Sequence, residues 1–199
     1  VNLYFLLPLI SALACLVFGV LILARDRDAT PHRCAAALLL GASWWGICEA
    51  LWTLAPDPVT ALVLLRISAP GWIAAGPVCM HLFLAAEQRS THPMRKLVPF
   101  AYAGAAFFLL VEWAEPFLVS GPWLTEGMAR VPWGYAYLAG PGYWLWYTFT
   151  VLTSSAGIFA ALHDLRGGAS PAETQQTPWL GTGIGIPLER QSHIFESFD

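Results

Sequence analysis

Three ionisable side chains, Glu49, Arg66 and Glu112, stand inside long apolar runs of this chain. A charge in such surroundings is costly and is normally paired or placed at a site. Glu49 falls near the end of one apolar segment and Arg66 near the start of the next. A rise of about 1.5 Å per residue puts both roughly 8 to 9 Å below the same surface of a bilayer. The short connection between the two segments makes them antiparallel neighbours, so Glu49 and Arg66 can meet at one depth, with Glu112 as a third member. Trp45, Glu49 and Trp52 share a helical face by their i, i+4, i+7 spacing, which places the acid among indole rings. Two readings stay open: an ion pair that holds helices together, or part of a sensing or binding cavity. His81 stands alone in its segment and reads as a helix-to-helix hydrogen bond. Cys15, Cys34, Cys48 and Cys79 show no CxxC spacing and read as free thiols in helices. The last residues carry a different pattern. In "TGIGIP" the closely spaced Gly183 and Gly185 would let a loop bring its backbone against a nucleotide, because glycine lacks the β-carbon that blocks such an approach.

The elements that must position these residues are membrane spans. The chain has 199 residues, of which 57% are hydrophobic and 12% charged, with a mean hydropathy of +0.57. Soluble domains carry about 25% charged residues. The net charge of -3 and the scattered basic residues exclude a nucleic-acid surface. Five segments reach the ~20 apolar residues a helix needs to cross: 3–24, 34–54, 61–86, 97–114 and 141–163. The expected fold class is an all-α membrane protein followed by a short cytoplasmic tail. Pro70, Gly71, Gly76 and Pro77 should kink or loosen the third span. No basic stretch precedes the first apolar run, which is therefore expected to be a span and not a cleaved leader. Arg25, Arg27, Arg33, Arg89, Arg95, Lys96 and Arg166 fall in alternate connections, which orients the chain with its N-terminus outside and its C-terminus inside. Trp113, Trp123, Trp133, Tyr135, Tyr137, Tyr143, Trp144, Trp146 and Tyr147 then gather near the outer surface. They form either an interfacial belt with an amphipathic loop on the headgroups or the lining of an outward-facing pocket. No proton-relay ladder or inverted repeat marks a transporter, which ranks behind a receptor that binds a small ligand or a partner helix.

"TGIGIP", followed by charged residues and "IFESF", resembles the run of sensor histidine kinases from the first glycine box into the phenylalanine box of the ATP lid. The match rests on Thr182, Gly183, Gly185, Ile186, Pro187, Glu189, Phe195 and Phe198. The resemblance implies that Gly183 and Gly185 are the box glycines and that Phe195 and Phe198 are the lid aromatics. Gly181 stands where the family has its adenine-binding aspartate, and the magnesium-holding asparagine box is absent from these residues. ATP and magnesium are thus implied for the intact family but are not expected to bind this chain well. The spans themselves resemble the seven-transmembrane N-terminal sensor region of such kinases, through "SWW", "EALW", "GPGYWLWYTFT" and "SPAETQQTPWL". "HDLR" at 163–166 resembles the start of the phosphoacceptor box, with His163 as acceptor but Gly168 at the proline position. The expected organisation is a membrane sensor region over 1–165, a linker over 166–180 and an ATPase-domain remnant over 181–199. The resemblance further implies a homodimer in the inner membrane that signals to a response regulator through histidine autophosphorylation, a step these residues alone are expected not to complete.

Overall fold

A computed structural model describes residues 3–86, 93–117 and 122–166. Six α-helices and a β-hairpin follow in chain order. The contacts divide the chain into Val1–Ala161 and Leu162–Asp199, and the described part of the second unit is the end of the last helix.

The first helix, α1 (Leu6–Arg25), and the second, α2 (Thr30–Thr53), are joined by a tight turn in which Asp26 Oδ1 accepts from the backbone N–H groups of Asp28 and Ala29. Pro31, in the first turn of α2, needs no donor there, and this starts α2 earlier than apolarity alone suggests. Asp57 caps α3 (Pro58–Ile73): its Oδ1 accepts from Val59 N and Thr60 N, both at 2.9 Å. The third span then breaks at Ala74 and resumes as α4 (Ala75–Ala86). The break lies where Pro70 and Pro77 each withhold a backbone donor, as their spacing predicts. α5 (Val98–Ala114) follows a short 3₁₀ turn, and α6 (Tyr143–Arg166) ends the described chain. Five helical segments among the described residues are long and apolar enough to cross a membrane: Leu6–Arg25, Thr30–Thr53, Pro58–Ala86, Pro93–Phe117 and Tyr143–His163. The protein is an all-α membrane protein in its spanning part.

The connection between α5 and α6, expected to hold no strands, carries regular structure. It contains an antiparallel hairpin, β1 (Thr125–Val131) and β2 (Gly134–Ala139), turned at Pro132 and Trp133. Gly134 has φ +134, and a Cβ there would meet Thr53 O at 2.6 Å, so the turn rests directly on the end of α2. Met128 and Tyr135 point from the strands into a cluster with Cys48, Trp52, Ala61 and Leu65. A second cluster joins Ala69, Trp72 and Ile73 to Phe108, Leu124 and Trp146, and a third joins Met80 and Leu84 to Ala101 and Ala160. Water-driven burial gives little between helices in lipid, so close packing must hold them. At the α2–α3 crossing a Cβ on Gly71 would collide with the Gly41 carbonyl, so this close approach requires glycine at position 71.

Candidate functional site

Pro70 gives the site its first constraint. It has no N–H for the Arg66 carbonyl one turn earlier, and an orphan carbonyl in lipid must find another donor. Trp113 of α5 supplies it: its Nε1–H donates to Arg66 O at 3.0 Å. Trp44 of α2 donates its Nε1–H to the neighbouring Ile67 O at 2.9 Å. Two indoles from flanking helices thus bond carbonyls beside the proline, one of them the carbonyl that Pro70 leaves without a donor, and tie α3 to both neighbours.

The side chain of Arg66 faces two acids. Its Nε lies 3.9 Å from Glu112 Oε1, and a terminal guanidinium nitrogen lies 3.5 Å from Glu115 Oε2. Both carboxylates are fully buried, whereas the arginine side chain is 20% exposed. Glu112 also accepts from Thr125 Oγ1 at 3.2 Å. Glu115 Oε1 accepts from Trp123 N at 2.8 Å and from Leu124 N. These contacts clamp the root of the hairpin to α5, and through Arg66 to α3. The Gly140 and Gly142 amides close the other side of the root by donating to Leu124 O and Trp123 O, at 2.9 and 2.8 Å.

Under the hairpin lies a cavity of about 280 Å³. Leu38, Ala42, Trp45 and Trp52 of α2 form one wall, and Leu65, Gly71 and Trp72 of α3 with Ala75 of α4 form another. Tyr143, Trp146 and Thr150 of α6 form a third, and Thr125 and Tyr137 of the hairpin add to a lining that leaves the cavity partly open. Six of these residues are aromatic and none is charged. Trp72 and Trp146 meet edge to face with ring centroids 4.6 Å apart, while the Tyr137 and Tyr143 hydroxyls bond each other at 2.8 Å. The indole nitrogens of Trp72 and Trp146 and the Thr150 hydroxyl are buried with no hydrogen-bond partner among the described residues. Such a lining can hold a small apolar molecule.

The expected Glu49–Arg66 pairing is corrected here. Arg66 pairs with Glu112 and Glu115, and Glu49 has no ion pair among the described residues. A common depth is necessary for contact but not sufficient: the helical face decides, and Arg66 is on the side of α3 that meets α5. Trp45 and Trp52 do share a wall of the cavity, but Glu49 between them is not part of it. Glu115, Thr125 and the two indole caps are the residues that sequence reasoning missed. Glu115 was legible in principle, since it follows Glu112 at i+3 on one helical face. The outer aromatics divide between the two readings given for them: Trp113, Trp133, Trp144 and Tyr147 are exposed, whereas Tyr143 and Trp146 line the cavity. His81 Nδ1 lies 3.2 Å from the Tyr102 hydroxyl, a helix-to-helix hydrogen bond. His163 stands exposed near the end of α6. Thr182, Gly183, Gly185, Ile186, Phe195 and Phe198 lie outside the described residues. No group of three or more potential metal ligands occurs among the described residues.

No curated protein and no solved structure matches the chain. Residues 7–191 match the family described as the N-terminal 7TM region of histidine kinase. That match takes in every span, the hairpin, the cavity and the clamp. The chain belongs to this family of histidine kinase N-terminal membrane regions.

Proposed function

We propose that this chain is the signal-receiving membrane portion of a two-component histidine kinase, with the hairpin end outside the inner membrane and the end of α6 leading to the kinase. The observation that carries this reading is the hairpin-roofed cavity, held by a buried clamp inside a membrane region of the histidine kinase family. The orientation is supported by Arg25, Arg27, Arg33, Arg95 and Lys96 in the connections at the end away from the hairpin. Kinase chemistry belongs to a catalytic core that uses ATP and magnesium, phosphorylates its own histidine as a homodimer and passes the phosphoryl group to a response regulator. Such transfer depends on positioning and charge neutralisation. The residues here do not supply that: His163 is followed by the glycines of "RGGASP", and Gly181 replaces the adenine-binding aspartate. The likeness of Gly183, Gly185, Phe195 and Phe198 to an ATPase remnant is supported by their order. The family match extends to residue 191, so "IFESF" is the part of that likeness outside it.

Joining α6 in helical phase to the dimerisation and catalytic core of a known histidine kinase tests the reading. Phosphorylation of the cognate regulator by the chimera should differ at least severalfold from that by the free core. Equal output from both would refute it. The 199-residue chain incubated with labelled ATP and magnesium should stay unlabelled, and label on His163 would overturn the assignment of chemistry to a separate core. A second reading, a non-catalytic receptor for a small ligand, is favoured by the same cavity and predicts binding without any change in kinase output.

A further inference from the structure

The cavity specifies the kind of molecule it would take. No Asp, Glu, Lys, Arg or His is among its lining residues, so a charged ligand would find no counter-ion. The polar groups of the lining are mostly withdrawn from it. The Tyr137 and Tyr143 hydroxyls bond each other at 2.8 Å, and the Thr125 hydroxyl donates to Glu112 Oε2 at 3.2 Å. The indole nitrogens of Trp72 and Trp146 and the Thr150 hydroxyl are buried, so they offer no surface to the space. Apart from these, only the Trp45 and Trp52 indoles bring a side-chain polar atom to the lining. What remains is apolar surface, much of it belonging to the six aromatic rings. Such rings favour a ring over a chain, because offset and edge-to-face contacts add to what burial alone gives. Size follows by proportion. An apolar cavity of ~150 Å³ takes benzene, and at about 280 Å³ this one has room for roughly twice as many non-hydrogen atoms, about a dozen.

We propose that this cavity binds a neutral, planar, hydrocarbon-like molecule of bicyclic size, held by ring contacts and burial without a hydrogen bond, and that the docked hairpin is part of the site. The proposal deepens the sensor reading and rests on it for one consequence only, that occupancy alters kinase output. Thr125 joins the site to the clamp, since it lines the cavity while its hydroxyl bonds Glu112. A ligand packed against Thr125 and Tyr137 therefore favours the docked hairpin, and the docked hairpin favours the ligand by the same factor. Gly71, Trp72 and Ala75 set the ligand against the broken third span, and Tyr143 and Trp146 set it against the first turn of α6.

The test uses the full chain in lipid nanodiscs, with empty nanodiscs as the measure of partitioning, and three probes. 1-Ethylnaphthalene and n-dodecane have the same number of carbon atoms, one as fused rings and the other as a chain, while 1-naphthoate keeps the rings and adds a charge. Equilibrium dialysis should show saturable binding of 1-ethylnaphthalene at one per chain. At the same mole fraction in the lipid, n-dodecane should bind about threefold or more weakly, seen as incomplete displacement, the effect of about one ring-to-ring contact. 1-Naphthoate should show no saturable binding. Ala75→Phe should abolish binding of 1-ethylnaphthalene by filling the space, and Ala42→Phe on another wall should do the same, so that a folding failure of one variant leaves the other to decide. Glu115→Gln should weaken the binding severalfold by loosening the hairpin root. Linear uptake equal to that of empty nanodiscs would overturn the proposal, as would equal affinity for n-dodecane or 1-naphthoate, or saturable binding untouched by both alanine substitutions. Affinity unchanged in Glu115→Gln would overturn the hairpin's part in the site. The sensor reading is tested separately by the chimera. Saturable binding that Ala75→Phe or Ala42→Phe removes, with unchanged kinase output, would leave the ligand site standing and sink the sensor reading. A responsive chimera with no saturable probe binding would do the reverse.

Discussion

Replacing Trp113 by phenylalanine keeps a ring at the surface of α5 but removes the N–H that reaches Arg66 O at 3.0 Å. In an ordinary helix the carbonyl would turn to its own i+4 amide, but here that residue is Pro70, which has none. Interhelical hydrogen bonds in membranes average about 0.6 kcal/mol and reach ~1.7, while an orphaned buried acceptor costs about 1–3 kcal/mol. Trp113→Phe should therefore destabilise the fold by about 1 kcal/mol, roughly fivefold in the unfolding constant. Pro70→Ala restores the backbone donor. In that background Trp113→Phe should cost close to nothing, leaving a coupling of about 1 kcal/mol between the two positions. Reversible unfolding in mixed micelles, followed by tryptophan fluorescence for the four members of the cycle, measures it. The cycle also cancels any contact that the indole makes with lipid. An equal cost of Trp113→Phe in both backgrounds would refute the claim that the indole replaces the missing proline donor.

Glu115→Gln removes the charge facing Arg66 and weakens the acceptor for the Trp123 and Leu124 amides; breaking a buried pair on one side costs about 3–5 kcal/mol, and a loss below about 1 kcal/mol in the same unfolding assay would count against the clamp. Exchanging charges by Glu49→Arg with Arg66→Glu should give a protein less stable than either single variant, because the exchange places a third carboxylate beside Glu112 and Glu115; recovery of expression in the double variant would restore the Glu49–Arg66 pairing. Hydrogen bonds from the Thr60 backbone N–H and hydroxyl, with a further one from Val59 N, hold the Asp57 carboxyl below its usual range. The cap's contribution should thus be whole above about pH 4, the ordinary aspartate value, and fade as pH falls through the lower folded value. The Asp57→Asn variant should lack that acid dependence, and parallel curves of stability against pH for the two proteins would contradict it.

Length and apolarity made the spans legible, and Pro70 with Pro77 made the break in the third one legible, because those properties act locally along the chain. The hairpin was less so. "MARVPWGYAY" contains alternation and a two-residue turn, but short strands flanked by Pro and Gly read as loop until Thr53 is there for Gly134 to rest on. A long connection in a compact domain is itself a sign of hidden structure, since extended loops without any are uncommon. Glu49 and Arg66 show the other limit. Their depths follow from counting residues, but which face of α3 meets α5 depends on Gly41 approaching Gly71 and on two indoles seeking carbonyls, none of which a linear pattern contains. The cavity was legible as a surplus of outer aromatics, but not which rings turn inward: Trp144 is exposed and Trp146 buried although only Leu145 separates them.

The hairpin borders the cavity through Thr125 and Tyr137, and its root is tied by the Gly140 and Gly142 amides just before α6. In the chimera with a known kinase core, Glu115→Gln should release the hairpin root and change regulator phosphorylation severalfold, while Glu49→Gln, outside the clamp and the cavity wall, should leave it at the parental level. Loss of the difference between these two variants at equal membrane abundance, with both matching the parent, would contradict the account.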